Sequence, residues 1–150
     1  CYCALMILDL DNFKPLNDTY GHLLGDLSLI EVARRLTRCV REIDTVGRFG
    51  GDEFVVMLSE LSTDQALSTA QAQAVAEKIR SSLSEPYLIT VHHEGRSDTL
   101  LTHCCTASIG VVIFIDNETP QDDLLKWADA AMYQAKKVGR NTVRFYGSKA

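Results

Sequence analysis

Apolar positions run along this chain in blocks of different period, and the blocks predict its elements. Residues 2–8 (Tyr-Cys-Ala-Leu-Met-Ile-Leu) are continuously apolar and end in Asp9, as expected of a central strand buried on both faces. Leu29, Val32, Ala33, Leu36, Val40 and Ile43 recur at helical spacing and predict a helix from about 25 or 26 to 42. Two short apolar runs, 45–49 and 54–58, flank Gly50-Gly51 in the pattern of a β-hairpin. Val75, Ile79 and Leu83 mark one face of a second helix over about 63–84, capped by Thr63 or Asp64 and stopped by Pro86. Residues 87–92 and 101–115 read as strands joined by a polar loop, the second interrupted near Gly110. A third helix, about 120–138, opens on Pro and acids and closes on Lys136, Lys137 and Gly139, the chemistry each end favours. A short strand over 142–146 ends the pattern.

The resulting order is β-α-β-β-α-β-β-α-β, with no internal repeat and no linker, so one α+β domain is expected over 1–150. Its first six elements match the ferredoxin-like βαββαβ plan, a central antiparallel sheet with helices on one face. A further hairpin strand and a C-terminal helix and strand are additions to that core.

Composition narrows the picture in three ways. At 46% hydrophobic and 23% charged residues the chain is globular, and no apolar run is long enough for a membrane span. Net charge is -5 with no basic tract, which argues against duplex nucleic acid, because phosphate binding leans on clustered Lys and Arg. An acidic domain that binds a polyphosphate needs metal ions to supply positive charge. The five cysteines are odd in number, lack CxxC spacing and read as buried, reduced thiols of a cytoplasmic protein.

Candidate chemistry gathers where the plan makes neighbours of distant residues. Asp9 and Asp11 end the first strand on one side of it, and Asp52 and Glu53 follow the hairpin glycines directly. Strand alternation sends one of the latter two to each side of the sheet, and glycines without Cβ let a ligand come close. Carboxylates crowded at one sheet edge repel unless a cation lies between them. Such a site suits Mg²⁺, which keeps waters and takes substrate phosphates as ligands, and two such ions serve an in-line phosphoryl transfer. Lys14, Lys136 and Arg140 are candidate donors to a triphosphate. Asn17 and Asp26 together complement guanine, whose edge offers both donors and acceptors. For Asp26 a plain helix-cap role is the competing reading.

These residues carry a resemblance. Gly50-Gly51-Asp52-Glu53-Phe54 is the naming motif of the GGDEF family, the diguanylate cyclases. Phe13-Lys14-Pro15-Leu16-Asn17-Asp18-Thr19-Tyr20-Gly21-His22 with Gly25-Asp26, then Ala107-Ser108-Ile109-Gly110, then Ala128-Asp129-Ala130-Ala131-Met132-Tyr133 and the stretch from Ala135-Lys136 to Asn141 resemble the family in the same order. The resemblance implies a fold of the nucleotidyl cyclase and polymerase-palm type and condensation of two GTP into cyclic di-GMP with release of two pyrophosphates. It implies Mg²⁺ (or Mn²⁺), two per active site, held by the side chains of Asp9 and Asp52 and the carbonyl of Leu10. Asp52 would also help deprotonate the ribose 3′-hydroxyl, with Glu53 supporting the metal site. Asn17 and Asp26 would read guanine, His22 would line that pocket, and Lys14, Lys136 and Arg140 would hold phosphates. Arg41-Glu42-Ile43-Asp44 stands as the family's RxxD inhibitory site for cyclic di-GMP, with Lys78 or Arg80 of a second domain as its counterpart.

Members of the family carry a helix and a D-x-L-T-x-L-x-N-R turn ahead of the first strand, after a sensory or dimerising region. Neither precedes residue 2, so the chain reads as part of a longer protein with an upstream sensory domain and room for membrane anchoring outside these residues. Each product needs two 3′–5′ bonds, so a homodimer with one GTP per domain is expected. The rival readings are a weak or inactive domain that binds cyclic di-GMP or GTP as a regulatory module, and a purely structural domain. A phosphodiesterase would need a further domain.

Overall fold

The computed structural model describes residues 1–11, 22–92, 94–116 and 118–147, with residues 22–24 described by their backbone alone. Strand β1 (Tyr2–Asp11) is the axis of the molecule. It pairs antiparallel with β3 (Glu53–Leu58) on one side and along its whole length with β6 (Thr106–Ile115) on the other. β2 (Thr45–Gly50) extends the sheet beyond β3, and β7 (Val143–Phe145) adds a parallel edge beside β6. The order is β2-β3-β1-β6-β7.

The continuous apolar run of β1 is explained by cover on both faces. Ala4, Met6, Leu8 and Leu10 pack against α1 (His22–Cys39) and α2 (Gln65–Ser84), with Val32, Leu36, Ala76, Ile79 and Leu83 buried opposite them. Cys3, Leu5 and Ile7 point the other way, onto Leu124, Ala128 and Met132 of α3 (Gln121–Lys137). Each large side chain buried there contributes about 1.5–3 kcal/mol. Asp64 caps α2, its Oδ2 accepting from the Leu67 N–H at 3.0 Å. No basic residue lies in the last turn of α2. Arg35 of α1 supplies the donors instead, reaching the carbonyls of Ser82, Glu85 and Pro86 at 2.8–2.9 Å, where the exposed carbonyl ends of a helix favour a cation.

The strand plan differs from the sequence reading in three places. The sixth element of the ferredoxin-like core is β6, because residues 87–91 leave the main sheet and form a separate hairpin of β4 (Tyr87–Val91) with β5 (Thr99–His103). The strand expected over 101–115 therefore breaks at Cys104-Cys105, where β5 and β6 part toward different partners. It does not break at Gly110, where a Cβ would stand 2.1 Å from the Ala128 carbonyl oxygen and 2.2 Å from the Met132 nitrogen. Glycine there lets α3 rest directly on the strand. The cysteines are all free, as expected, but Cys1 and Cys104 are exposed while Cys3, Cys39 and Cys105 are buried. Among the described residues no helix is long and apolar enough to cross a membrane.

Candidate active site

The end of β1 and the β2–β3 tip come together as the sequence plan requires. Asp9 is the cross-strand partner of Glu53, and the Leu10 N–H donates to the Asp52 carbonyl at 3.2 Å. Gly51 turns the chain with φ +53°, a conformation that favours glycine. A Cβ on Gly50 or Gly51 would meet nothing within 4 Å, so the tip is open. Asp52 lies in the turn and Glu53 starts the strand, so strict alternation does not separate them. Residues opposite one another in an antiparallel pair share a face, which puts Glu53 with Asp9 on the α3 side, and the charge of Asp52 is felt by both.

α3 closes the site from above. Lys136, in its last turn, donates from Nζ to Asp9 Oδ2 at 2.5 Å. The Asp9 side chain is only 13% exposed, and its Oδ1 is buried with no hydrogen-bond partner among the described residues. Burial pushes the Asp9 carboxyl from its ordinary 3.8 up to about 6, the Lys136 ammonium opposing this and the Asp52 charge adding to it. Glu53 is also raised, first by burial and then by the charges of Asp129 and Asp52, with Lys136 again opposing. A carboxylate with one unsatisfied buried oxygen beside two further acids is what a hard cation relieves. Among the described residues no three His, Cys, Asp or Glu side chains could hold a metal unaided. A cation here would complete its shell with main-chain carbonyl, water or ligand oxygens. The donor set therefore fits Mg²⁺ or Mn²⁺, which accept such mixed oxygen shells.

Asp11, the second acid of β1, is not part of this cluster chemically. It is 1% exposed and accepts from Ser108 Oγ and Thr106 Oγ1 at 2.7 Å and from the Asn141 N–H at 3.1 Å. Asp129 was missed as a site neighbour. Its signal was present, since it precedes Lys136 by two helical turns and so shares its face of α3.

Asp26 lies one turn inside α1, whose first residue is His22. The helix-cap reading of Asp26 fails, because a cap stands at the first residue and not beyond it. Asp26 is exposed and lines a groove of about 530 Å³ with Leu29, Ile30, Arg48 and Phe54 among its walls. Lys14 and Asn17 lie outside the described residues, as does the His22 side chain. Arg140 follows α3 in a left-handed conformation, φ +64°.

The RxxD pair stands apart, at the corner between α1 and β2. Asp44 Oδ2 accepts from the Arg41 N–H at 2.8 Å and Nε at 3.2 Å, and Oδ1 from Arg41 NH2 at 3.0 Å and the Ser59 N–H at 3.1 Å. Arg41 also donates to the Ser59 carbonyl. Burial pushes Asp44 up, but the bonds from Arg41 and Ser59 outweigh it and hold the carboxyl below its usual range. Its side chain is 2% exposed, against 51% for Arg41, so the guanidinium is the accessible half. Of the two candidate counterparts, Arg80 is bonded to Glu77 and Asn141, and Lys78 is exposed.

Comparison with known proteins gives one consistent result. Residues 2–142 match the family model described as the diguanylate cyclase, GGDEF domain. The chain is 43% identical over 145 residues to the bifunctional diguanylate cyclase/cyclic di-GMP phosphodiesterase MucR of Pseudomonas aeruginosa, covering 97% of this chain and 19% of MucR. It is 38% identical over 140 residues to diguanylate cyclase A of Treponema denticola, covering 93% and 34%. It is also 36% identical to the cyclic di-GMP phosphodiesterase NbdA of Pseudomonas aeruginosa, covering 95% and 16%. The chain thus spans about a third or less of these relatives. Among solved structures, the GGDEF domain of PA1120 (YfiN or TpbB) from Pseudomonas aeruginosa superposes with a TM-score of 0.81 at 33% identity, covering 99% of this chain and 84% of that one. The GGDEF domain of DgcB from Caulobacter crescentus, in complex with c-di-GMP, does so with a TM-score of 0.78 at 28% identity, covering 98% and 79%.

Proposed function

The chain belongs to the diguanylate cyclase GGDEF family, and on that premise we propose that it condenses two GTP into cyclic di-GMP with release of two pyrophosphates. The observation that carries the reading is Asp9: a nearly buried carboxyl, pushed up to about 6, with one oxygen unpartnered beside Asp52 and Glu53. Packing alone does not account for such a group, whereas a nucleotide-bound cation does. Asp9 and Asp52 would hold Mg²⁺ or Mn²⁺, with the Leu10 carbonyl as a further ligand and Glu53 in support. Two bound ions would activate the attacking 3′-hydroxyl and neutralise the departing pyrophosphate.

The chain's own groups do the rest. Asp52 takes the 3′-hydroxyl proton. Lys136, paired with Asp9, would offer its ammonium to the phosphates together with Lys14 and Arg140. Asp26, which lines the groove beside Phe54, reads guanine, and the family resemblance gives Asn17 and His22 a share in the same role. A carboxylate can satisfy the two N–H donors of guanine N1 and N2, and adenine lacks that pair, so ATP would leave it unmatched. Two domains face each other, each presenting one GTP. Arg41, with Asp44 as its anchor, would bind cyclic di-GMP as a product inhibitor, its half-exposed guanidinium being the supporting feature.

The test is incubation with GTP and Mg²⁺ and assay of both pyrophosphate and cyclic dinucleotide across a hundredfold range of protein concentration. Specific activity should rise with concentration, since association assembles the paired site. The Asp26→Ser variant should shift the GTP/ATP preference toward ATP by roughly tenfold or more. The second reading, a nucleotide-binding regulatory module, is favoured by the kinship with NbdA, named for the opposite activity. Tight GTP binding with no pyrophosphate released at any concentration would establish it instead.

A further inference from the structure

The segment after α3 follows a course that needs an external hold. Gly139, Arg140 and Asn141 have φ of +126°, +64° and +46°, two of them non-glycine residues in the left-handed region, where a Cβ is disfavoured. One local bond supports the turn, from the Arg140 N–H to the Ala135 carbonyl at 3.0 Å. Among the described residues, its other hydrogen bonds come from other elements. The Asn141 N–H donates to Asp11 Oδ2 on β1 at 3.1 Å. The Asn141 side-chain Oδ1 accepts from Arg80 NH1 on α2 at 2.8 Å, with Ser84 Oγ at 3.4 Å. Arg80 is itself set by Glu77, one turn back on α2, whose carboxylate takes Nε at 2.9 Å and NH2 at 2.5 Å. Asp11 is set by Thr106 and Ser108 of β6.

We propose that Asp11 and Arg80 are positioning residues for the phosphate end of the site: gripping Asn141 from two sides, they hold residues 139–141 in the left-handed course that presents Arg140 four residues beyond Lys136. This rests on the nucleotide reading above. Both oxygens of Asp11 are engaged, Oδ1 by Ser108 and Oδ2 by Thr106 and Asn141. Its neighbour two residues back, Asp9, keeps one oxygen open. Arg80 is equally committed, to Glu77 and to Asn141.

Four variants of the protein separate this role from a merely structural one. Arg80→Ala removes one grip at a partly exposed position. Asn141→Gly removes the same bond while keeping the left-handed backbone, which glycine adopts freely. In Asp11→Asn the amide oxygen can face Thr106 and the Asn141 N–H while the Ser108 hydroxyl turns to accept from the amide nitrogen. Asp11→Ala loses both. Amide hydrogen exchange over residues 139–142 is read without nucleotide, and binding of a non-hydrolysable GTP analogue with Mg²⁺ is compared with binding of guanosine. Arg80→Ala and Asn141→Gly should exchange roughly tenfold faster or more and bind the analogue about 5- to 10-fold more weakly, with guanosine binding unchanged. Asp11→Asn should stay within about twofold of the wild type on both, and Asp11→Ala, if it folds, should resemble Arg80→Ala. Unchanged exchange in both Arg80→Ala and Asn141→Gly overturns the grip. Faster exchange with unaltered analogue binding overturns the role toward phosphate. If the wild type binds the analogue no better than guanosine, the nucleotide reading fails and the phosphate role with it, while the exchange rates still decide the grip.

Discussion

Two ion pairs in this domain use the same chemistry to opposite ends. In each, a nearly buried aspartate meets a cation at hydrogen-bond distance: Asp9 with Lys136 at the end of β1, Asp44 with Arg41 at the α1–β2 corner. Burial opposes ionisation in both. At Asp44, two backbone N–H groups and the Arg41 fork satisfy both oxygens, and the carboxyl is held below its ordinary range. At Asp9 a single ammonium serves one oxygen, Asp52 adds repulsion, and the carboxyl rises to about 6. The number and fixity of donors decides the outcome, not the presence of a salt bridge. The corner pair is complete without a ligand. The strand-end pair is not, and that incompleteness is what makes it the candidate site.

The sharpest way to break this comparison is at Asp52. Asp52→Asn should lower product formation by about 100-fold or more, because a charged ligand and its part in stabilising the transition state are lost. The circular dichroism spectrum and melting temperature should hold. Near-normal turnover would leave Asp52 with no part in the reaction.

Next in size is the stability contrast. Asp44→Ala strands the Ser59 and Arg41 donors and should cost about 2–3 kcal/mol in urea unfolding. Asp9→Asn, measured with EDTA at pH 7, should cost nothing or stabilise, since it removes a charge that the folded state disfavours. Equal losses from the two would erase the distinction.

The pH dependence follows from the same two groups with opposite sign. Because the folded pKa of Asp9 is raised from 3.8 to about 6, the folded chain binds more protons between those values. Metal-free stability should therefore fall as pH rises through that window, by roughly 2–3 kcal/mol in the limit of a fully expressed shift. Asp44, with a depressed folded pKa, contributes stability that is present above its unfolded value near 3.8 and is lost only as pH falls further. Urea midpoints with EDTA from pH 3 to 7 should show a maximum between these regions. Asp9→Asn should flatten the upper limb and leave the acid limb intact. An unchanged upper limb would show that Asp9 does not carry it.

The smallest structural effect is expected at Arg41. Since its side chain is half exposed, Arg41→Ala should leave the initial rate nearly unchanged and lower stability by only about 1 kcal/mol. Progress curves should stay linear to higher product concentration and cyclic di-GMP binding should weaken. Curves that bend at the same product concentration as the wild type would end the inhibitory reading of the pair.

Local chemistry was readable from the residues alone. The apolar run of β1, the Gly-Gly turn and the acids beside it each carry their signal within a few positions, because strand burial and turn conformation are short-range demands. The gathering of Asp9, Asp52 and Glu53 with Lys136 was therefore legible, and the family motif made it more so. The start of α1 was not. Residues 22–24 lack a strong cap signal, and the apolar stripe placed the helix start three to four residues late, which turned Asp26 from a groove residue into an apparent cap. What the chain's pattern could not settle was which partner each distant segment would choose. Residues 87–91 and 106–115 are both apolar strands, and only the shape of the packed core decides that β6 takes the place beside β1 while β4 leaves with β5. Gly110 looked like a break because the helix that needs its missing Cβ comes eighteen to twenty-two residues later, at Ala128 and Met132. Asp9 and Asp11 looked alike for the same reason: two acids two apart differ only in what tertiary contacts bring to them. Asp11 receives three donors and closes. Asp9 receives one and stays open, because the elements that could have satisfied it bring Asp52 and Glu53 instead.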